Sequence, residues 1–211
     1  VVFAALPEPA PMLIDRYLVA CQNAEIPALL VLNKTDLLKE NDPILTLVAE
    51  YEALGYEVMQ TCLTGDISAL AQRLDNETVA FVGQSGVGKS SLINIIAPEA
   101  AQKTNIISEN SALGQHTTTS TRLISFGETG ALIDSPGIRE FGLWHLTLDA
   151  VEHGFPEIFN MLGTCQFRNC THKHEKNCSL QKAASAGEIL PRRLESFLRL
   201  CDEIQEAQQK N

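Results

Sequence analysis

The run Gly83-Gln84-Ser85-Gly86-Val87-Gly88-Lys89-Ser90 fits G-x-x-x-x-G-K-[ST], a spacing suited to holding phosphate. Its glycines let backbone N–H groups turn inward where a Cβ would obstruct them, and a helix starting at Ser90 would add its positive end. Lys89 would bring charge to the β- and γ-phosphates, and the Ser90 hydroxyl would ligate Mg2+. A plain glycine turn is the bland alternative. The strand-like Thr78 to Val82 before the loop and the helical pattern Ser90 to Ile96 after it supply the setting the motif requires.

Upstream lies Asn33-Lys34-Thr35-Asp36, at the end of the apolar run Ala28 to Leu32. Four polar residues after a strand usually make a turn. Paired with a phosphate loop they become a base reader: the Asp36 carboxylate can accept from guanine N1–H and N2–H2, a donor pair adenine lacks. Asn33 would brace the pocket and approach the other guanine edge, and the Lys34 stem would cover the ring. Asp134-Ser135-Pro136-Gly137 fits D-x-x-G at another strand end. Asp134 would hold Mg2+ through a water, and the Gly137 N–H would sense the γ-phosphate. Three signatures together indicate a GTP site. Ordinary GTPases carry the phosphate loop first and the base reader late, so the order here indicates a circular permutation.

Ile138 stands where many small GTPases carry a glutamine that positions water, so hydrolysis needs another polar group. Gly114-Gln115-His116-Thr117-Thr118-Thr119 lies in a Ser/Thr/Asn/Gly-rich stretch that reads as a mobile switch loop. Thr118 is the expected Mg2+ ligand there. His116 is the nearest candidate to orient or deprotonate water, against the plainer reading of an exposed loop histidine.

A second cluster follows: Cys165-x4-Cys170-x-His172-x5-Cys178 offers three thiolates and an imidazole, a complete tetrahedral set of the kind that holds structural zinc. His174 is an alternative fourth ligand by spacing. Around it Arg168, Lys173, Lys176, Lys182, Arg192 and Arg193 outnumber Glu175 and Glu188. That local reversal of sign suggests an RNA-facing surface; a solvated face beside an anionic metal centre is the plainer alternative.

The elements that must position these residues alternate strand and helix up to about Trp144, which implies a mostly parallel sheet with ligands at the strand ends. Val1 to Ala5 reads as a strand, Met12 to Asn23 as a helix, Pro43 as a helix start, Tyr56 to Thr61 as a strand and Ile67 to Leu74 as a helix. Arg122 to Phe126 and Ala131 to Ile133 read as a hairpin, and Pro191 to about Gln208 as a final helix. The expected fold class is α/β, with a permuted P-loop GTPase domain over residues 1–143 and a small zinc-knuckle and helical domain over 144–211. The chain has 211 residues, 45% of them hydrophobic, enough for one substantial core and an appendage. A formal charge of -10 argues against attraction of the whole surface to nucleic acid or anionic membrane and leaves room for a local basic patch. No apolar stretch is long enough to span a bilayer. Of the six cysteines, those gathered beside histidines favour metal ligation in a reducing compartment, hence a cytoplasmic protein; a monomer is the separate expectation. The start at Val1 without a polar lead-in suggests a preceding segment or an edge strand.

In the order Asn33 to Asp36, Gly83 to Ser91, Gly114 to Thr119, Asp134 to Gly137, with the Cys/His knot behind, the chain resembles the RsgA/YjeQ family of circularly permuted, small-ribosomal-subunit-dependent GTPases. The resemblance spans essentially the whole chain. It implies a nucleotide site extending to Ser91 and binding GTP and GDP with Mg2+, and zinc ligation through His172. It also implies ribosome-stimulated GTP hydrolysis and assembly of the 30S subunit through contacts with 16S rRNA. The family's N-terminal OB-fold domain is not represented in the sequence. Gly86 stands where potassium-activated GTPases carry asparagine, so no potassium ligand is inferred. A nucleotide-gated RNA- or protein-binding module without turnover is the alternative reading.

Overall fold

The computed structural model describes residues 1–98, 122–134 and 146–209, with only the backbone of Arg122 and Asp134 described. These residues form two compact units: 1–10 with 29–98 and 122–134, and 11–28 with 146–209.

In the first unit β1 (Val2–Ala4), β2 (Leu29–Asn33) and β3 (Glu57–Gln60) run parallel in the order β1-β2-β3. Val31 pairs with Val2 on one side and with Met59 on the other. Leu30, Val31, Leu32 and Asn33 are all buried, as expected of a strand covered on both faces. A second sheet has the order β4-β6-β5, from β4 (Thr78–Val79), β5 (Arg122–Phe126) and β6 (Gly130–Asp134). Here β4 is parallel to β6 and β5 is antiparallel to it, closing the hairpin read from the sequence. Sequence patterning extends β4 to Val82, but its ladder with β6 stops at Val79. Beyond that point the chain turns to the other sheet: the Val2 N–H donates to the Val82 carbonyl at 2.7 Å. The two sheets thus meet where β1 touches the segment that leaves β4. From β1 the chain proceeds outward to β2, whereas β4 pairs with β6 on the opposite side. That reversal marks the place where α/β sheets bind ligands at their carboxyl ends.

Between strands lie α2 (Pro43–Ala53), α3 (Ser68–Leu74) and α4 (Lys89–Ile96). Pro43 occupies the first turn of α2, where its missing N–H costs nothing, and the Asp42 carboxylate caps Ile44 N–H at 3.1 Å. Leu70 and Leu74 from α3 and Leu92 from α4 join Val2, Ala4, Val31, Val87 and Leu132 in one core.

The second unit is helical. It combines α1 (Pro11–Asn23), α5 (Leu148–His153), α6 (Pro156–Phe159), α7 (Ser179–Ala186) and α8 (Pro191–Gln209). Although α1 connects β1 to β2 in sequence, it packs with α5 and α8. Its Val19 lies in a core with Val151, Phe155, Ile158, Leu180, Leu194 and Phe197. A buried ion cluster joins the same helices. The Arg193 guanidinium, wholly buried, pairs with Asp15 at 2.8 Å and Glu157 at 2.7 Å and lies over the Phe155 ring. Burial opposes its charge, but Glu157 and Asp15 outweigh that and raise its pKa further. Among the described residues no helix is long and apolar enough to cross a membrane.

Candidate functional site

The phosphate-loop motif continues from β4 and enters α4 directly, with Gly88 as the residue before the helix. Two glycines are required by geometry. A Cβ on Gly83 (φ 142°) would lie 2.0 Å from the Val2 carbonyl oxygen, so the loop could not meet β1. A Cβ on Gly88 (φ 96°) would lie 2.4 Å from Asn33 Nδ2. The second contact shows how the two motifs meet. Buried Asn33, at the end of β2, donates from Nδ2 to the Val87 carbonyl at 2.9 Å. Its Oδ1 accepts from the Thr61 hydroxyl at 3.1 Å. The amide therefore bridges the end of β2, the phosphate loop and the chain leaving β3.

Lys34 adopts a left-handed backbone (φ 60°), and its Nζ donates to Leu6 and Gly86 carbonyls at 2.7 Å each. Asp36 sits in the short turn Thr35–Leu37, exposed, with no polar partner among the described residues. That turn is held because Thr35 donates both its N–H and its hydroxyl to the Thr61 carbonyl, each at 3.1 Å. Lys89 Nζ donates to Gly83 and Gln84 carbonyls at 2.7 Å each, so the ammonium lies across the loop. Gln84 and Ser91 are half-buried, while Ser85, Gly86 and Ser90 are exposed. Ser90 lies in the first turn of α4 with its residue exposed.

The sequence-predicted Asn33, Lys34, the 83–90 loop and Lys89 therefore share one network. Strand β6 ends at Asp134 as expected, but its side chain, Gly137, His116 and Thr118 lie outside the described residues. Thr61 reads in the sequence as the end of a strand, in a segment that only loosely matches a base-pocket loop, and is not among the expected site residues. A lone threonine after a strand carries no motif of its own; its carbonyl, hydroxyl and N–H matter because they engage Thr35, Asn33 and Leu32.

In the helical unit, ligand atoms of Cys165, Cys170, His172 and Cys178 lie within 4.8 Å of one another. Cys165 Sγ is 3.8 Å from Cys178 Sγ, and His172 Nδ1 is 3.4 and 3.5 Å from those sulfurs. A tetrahedral zinc with Zn–S of about 2.3 Å and Zn–N of about 2.0 Å has edges of about 3.8 and 3.5 Å. The donor set and its spacing fit that ion. His174, left open by spacing, is exposed and outside the cluster. The loop is held by Glu175, whose carboxylate accepts from Thr171 N–H (2.7 Å) and hydroxyl (2.6 Å), Lys173 N–H (3.1 Å) and His174 N–H (3.2 Å). These bonds, those from Thr171 foremost, pull its pKa down to about 2.

The basic patch read from the sequence needs revision. Arg193 is buried in its ion cluster, Arg192 also reaches Asp15 at 3.4 Å, and Lys173 pairs with Asp202 at 2.6 Å. Arg168, Lys176 and Lys182 remain exposed, as does Phe167 beside Arg168.

Fold and site define a circularly permuted P-loop GTPase fold, with a Cys3His cluster on a helical unit. The family model described as RsgA GTPase matches residues 1–144, and the chain belongs to that family. It is 47% identical to the small ribosomal subunit biogenesis GTPase RsgA of Marinobacter nauticus, over 98% of this chain and 61% of the relative. With the protein of the same name from Actinobacillus pleuropneumoniae it is 49% identical, over 96% of this chain and 60% of the relative. The chain thus spans about three fifths of these relatives' length. Among solved structures, YjeQ from Thermotoga maritima superposes with a TM-score of 0.73 at 29% identity, covering 97% of this chain and 70% of that one. YloQ, a circularly permuted GTPase, gives 0.75 at 28% identity, covering 98% and 67%.

Proposed function

We propose that this chain binds GTP with Mg2+, hydrolyses it to GDP and phosphate, and acts in late assembly of the small ribosomal subunit. The observation that carries the nucleotide reading is the bond from Asn33 Nδ2 to the Val87 carbonyl, which ties the Asn33–Asp36 segment to the phosphate loop. Asp36 reads guanine through N1–H and N2–H2. Lys89 exchanges the loop carbonyls it now contacts for β- and γ-phosphate oxygens, and loop N–H groups share the developing charge. Bound Mg2+ further neutralises the phosphates; Ser90, Thr118 and, through water, Asp134 are its proposed ligands. The Gly137 N–H senses the γ-phosphate, and His116 orients or deprotonates the attacking water.

The ribosomal role rests on the names of the relatives, which are small-subunit biogenesis GTPases. Exposed Arg168, Lys176 and Lys182 give the zinc-knuckle unit a phosphate-facing chemistry suited to 16S rRNA. Cys165, Cys170, His172 and Cys178 would hold one zinc, whose part is structural. The protein is proposed to be a cytoplasmic monomer, with a GTPase domain over residues 1–143 and the zinc domain over 144–211.

Two measurements test this. Asp36→Ala should weaken GTP binding by about 10²–10⁴-fold through loss of two charge-assisted hydrogen bonds, while leaving ATP binding at its weak basal level. Equal competition by GTP and ATP against wild type would sink the guanine assignment. GTP turnover titrated with 30S subunits should rise with subunit concentration. No turnover with or without subunits would leave a nucleotide-gated binding module instead.

A further inference from the structure

Glu175 belongs to none of the proposed ligand sets, yet it accepts four hydrogen bonds within the loop that carries His172. Its carboxylate gathers backbone N–H groups of Thr171, Lys173 and His174 together with the Thr171 hydroxyl. The donors flank His172 on both sides. Converging N–H groups around a left-handed residue form an anion-binding concavity, and His172 is left-handed, with φ 63°. Here the protein's own carboxylate fills it. From the other side Gln181 of α7 donates to the His172 carbonyl at 2.6 Å. The peptide groups around His172 are thereby fixed, and with them the direction in which Nδ1 points toward the sulfurs of Cys165 and Cys178.

We propose that Glu175 is a positioning residue for the metal: it holds the left-handed turn at His172 so that the imidazole is already aimed at the zinc position. The inference rests on the zinc reading above. A left-handed non-glycine residue is disfavoured unless its surroundings hold it. Without Glu175 the thiolates would bind first and His172 would have to be ordered at the moment of ligation. Outer partners of this kind typically govern metal affinity by about 10–100-fold.

The test uses the whole chain. Glu175→Gln preserves size but replaces one acceptor oxygen with an amide donor. Zinc affinity, measured by competition with a chromophoric chelator, should fall about 10–100-fold. The ligand-field bands of the Co2+-substituted protein should change as imidazole coordination loosens. Thr171→Val, which removes only the hydroxyl contact, should move both readouts the same way by a smaller amount, so the idea stays testable if Glu175→Gln folds poorly. Lys173→Ala alters a side chain of the same loop that pairs with Asp202 and should move neither. Zinc affinity within twofold of wild type for Glu175→Gln, with unchanged Co2+ bands, would overturn the proposal, as would an equal loss in Lys173→Ala. Elemental analysis of wild type separates the two failures: protein without zinc removes the zinc reading and this inference together, whereas zinc-replete wild type with an indifferent Glu175→Gln removes only the inference.

Discussion

The two units treat their polar groups in opposite ways. In the nucleotide unit, Asp36 is exposed and unpartnered among the described residues, and Lys89 donates to the Gly83 and Gln84 carbonyls, which phosphate oxygens could replace. In the helical unit, two charges are satisfied from within: Arg193 by Asp15 and Glu157, Glu175 by the loop it organises. On the proposed function, Asp36 keeps its hydrogen-bonding capacity for a ligand, whereas Arg193 and Glu175 use theirs to hold the helices and the loop beside the Cys/His cluster.

The largest effect expected from this contrast is metal removal. Binding free energy of a structural zinc, about 10–16 kcal/mol in small domains, is available to folding. Chelation, or Cys178→Ala, should therefore abolish slow hydrogen exchange in α7 while GDP binding by the first unit persists. If exchange in α7 is unchanged after verified zinc loss, the helical unit stands on its core alone. Next in size is Asp15→Asn, which removes one carboxylate from a wholly buried guanidinium. Breaking a buried pair in this way costs about 3–5 kcal/mol, read as a loss in denaturant stability of the helical unit. A cost under about 1 kcal/mol is the value for an exposed pair and would contradict the burial of Arg193.

How far the sequence could reveal this differs between the units for the same reason. Apolar runs and motif spacing are local, and they placed β2, α2, α4, the hairpin and α8 within a few residues. The short helices Leu148–His153, Pro156–Phe159 and Ser179–Ala186 were not read. Spans of 6, 4 and 8 residues give too few turns for periodicity to register, and they are held by Val151, Phe155, Ile158 and Leu180 in the core. Arg193 looked like a surface cation because its partner Asp15 is 178 positions away. The Cys/His ligands were legible from spacing alone, whereas Glu175 acts on backbone N–H groups, which leave no trace in residue type. The switch-loop residues His116 and Thr118 lie outside the described residues, so their roles rest on sequence.

The smallest effect returns to the nucleotide unit, at the side chain that most resembles the closed chemistry of the other. Thr61 is 5% exposed, and its hydroxyl donates to Asn33 Oδ1 while its carbonyl anchors Thr35. Thr61→Val keeps the shape, the carbonyl and the N–H bond to Leu32, but leaves Asn33 Oδ1 buried without that donor. An unsatisfied buried acceptor costs about 1–3 kcal/mol. The amide can recover part of this by rotating, which withdraws Nδ2 from the Val87 carbonyl and loosens the junction of base reader and phosphate loop. GTP and GDP should then weaken together, by roughly 5- to 100-fold, since the junction is common to both, whereas a defect in γ-phosphate sensing would weaken GTP alone. Thr61→Ser, retaining the hydroxyl, should bind both nucleotides nearly as wild type. If Thr61→Val binds GDP as tightly as Thr61→Ser does, Asn33 is held by Val87 alone, and the nucleotide unit is as open at its base as it is at Asp36.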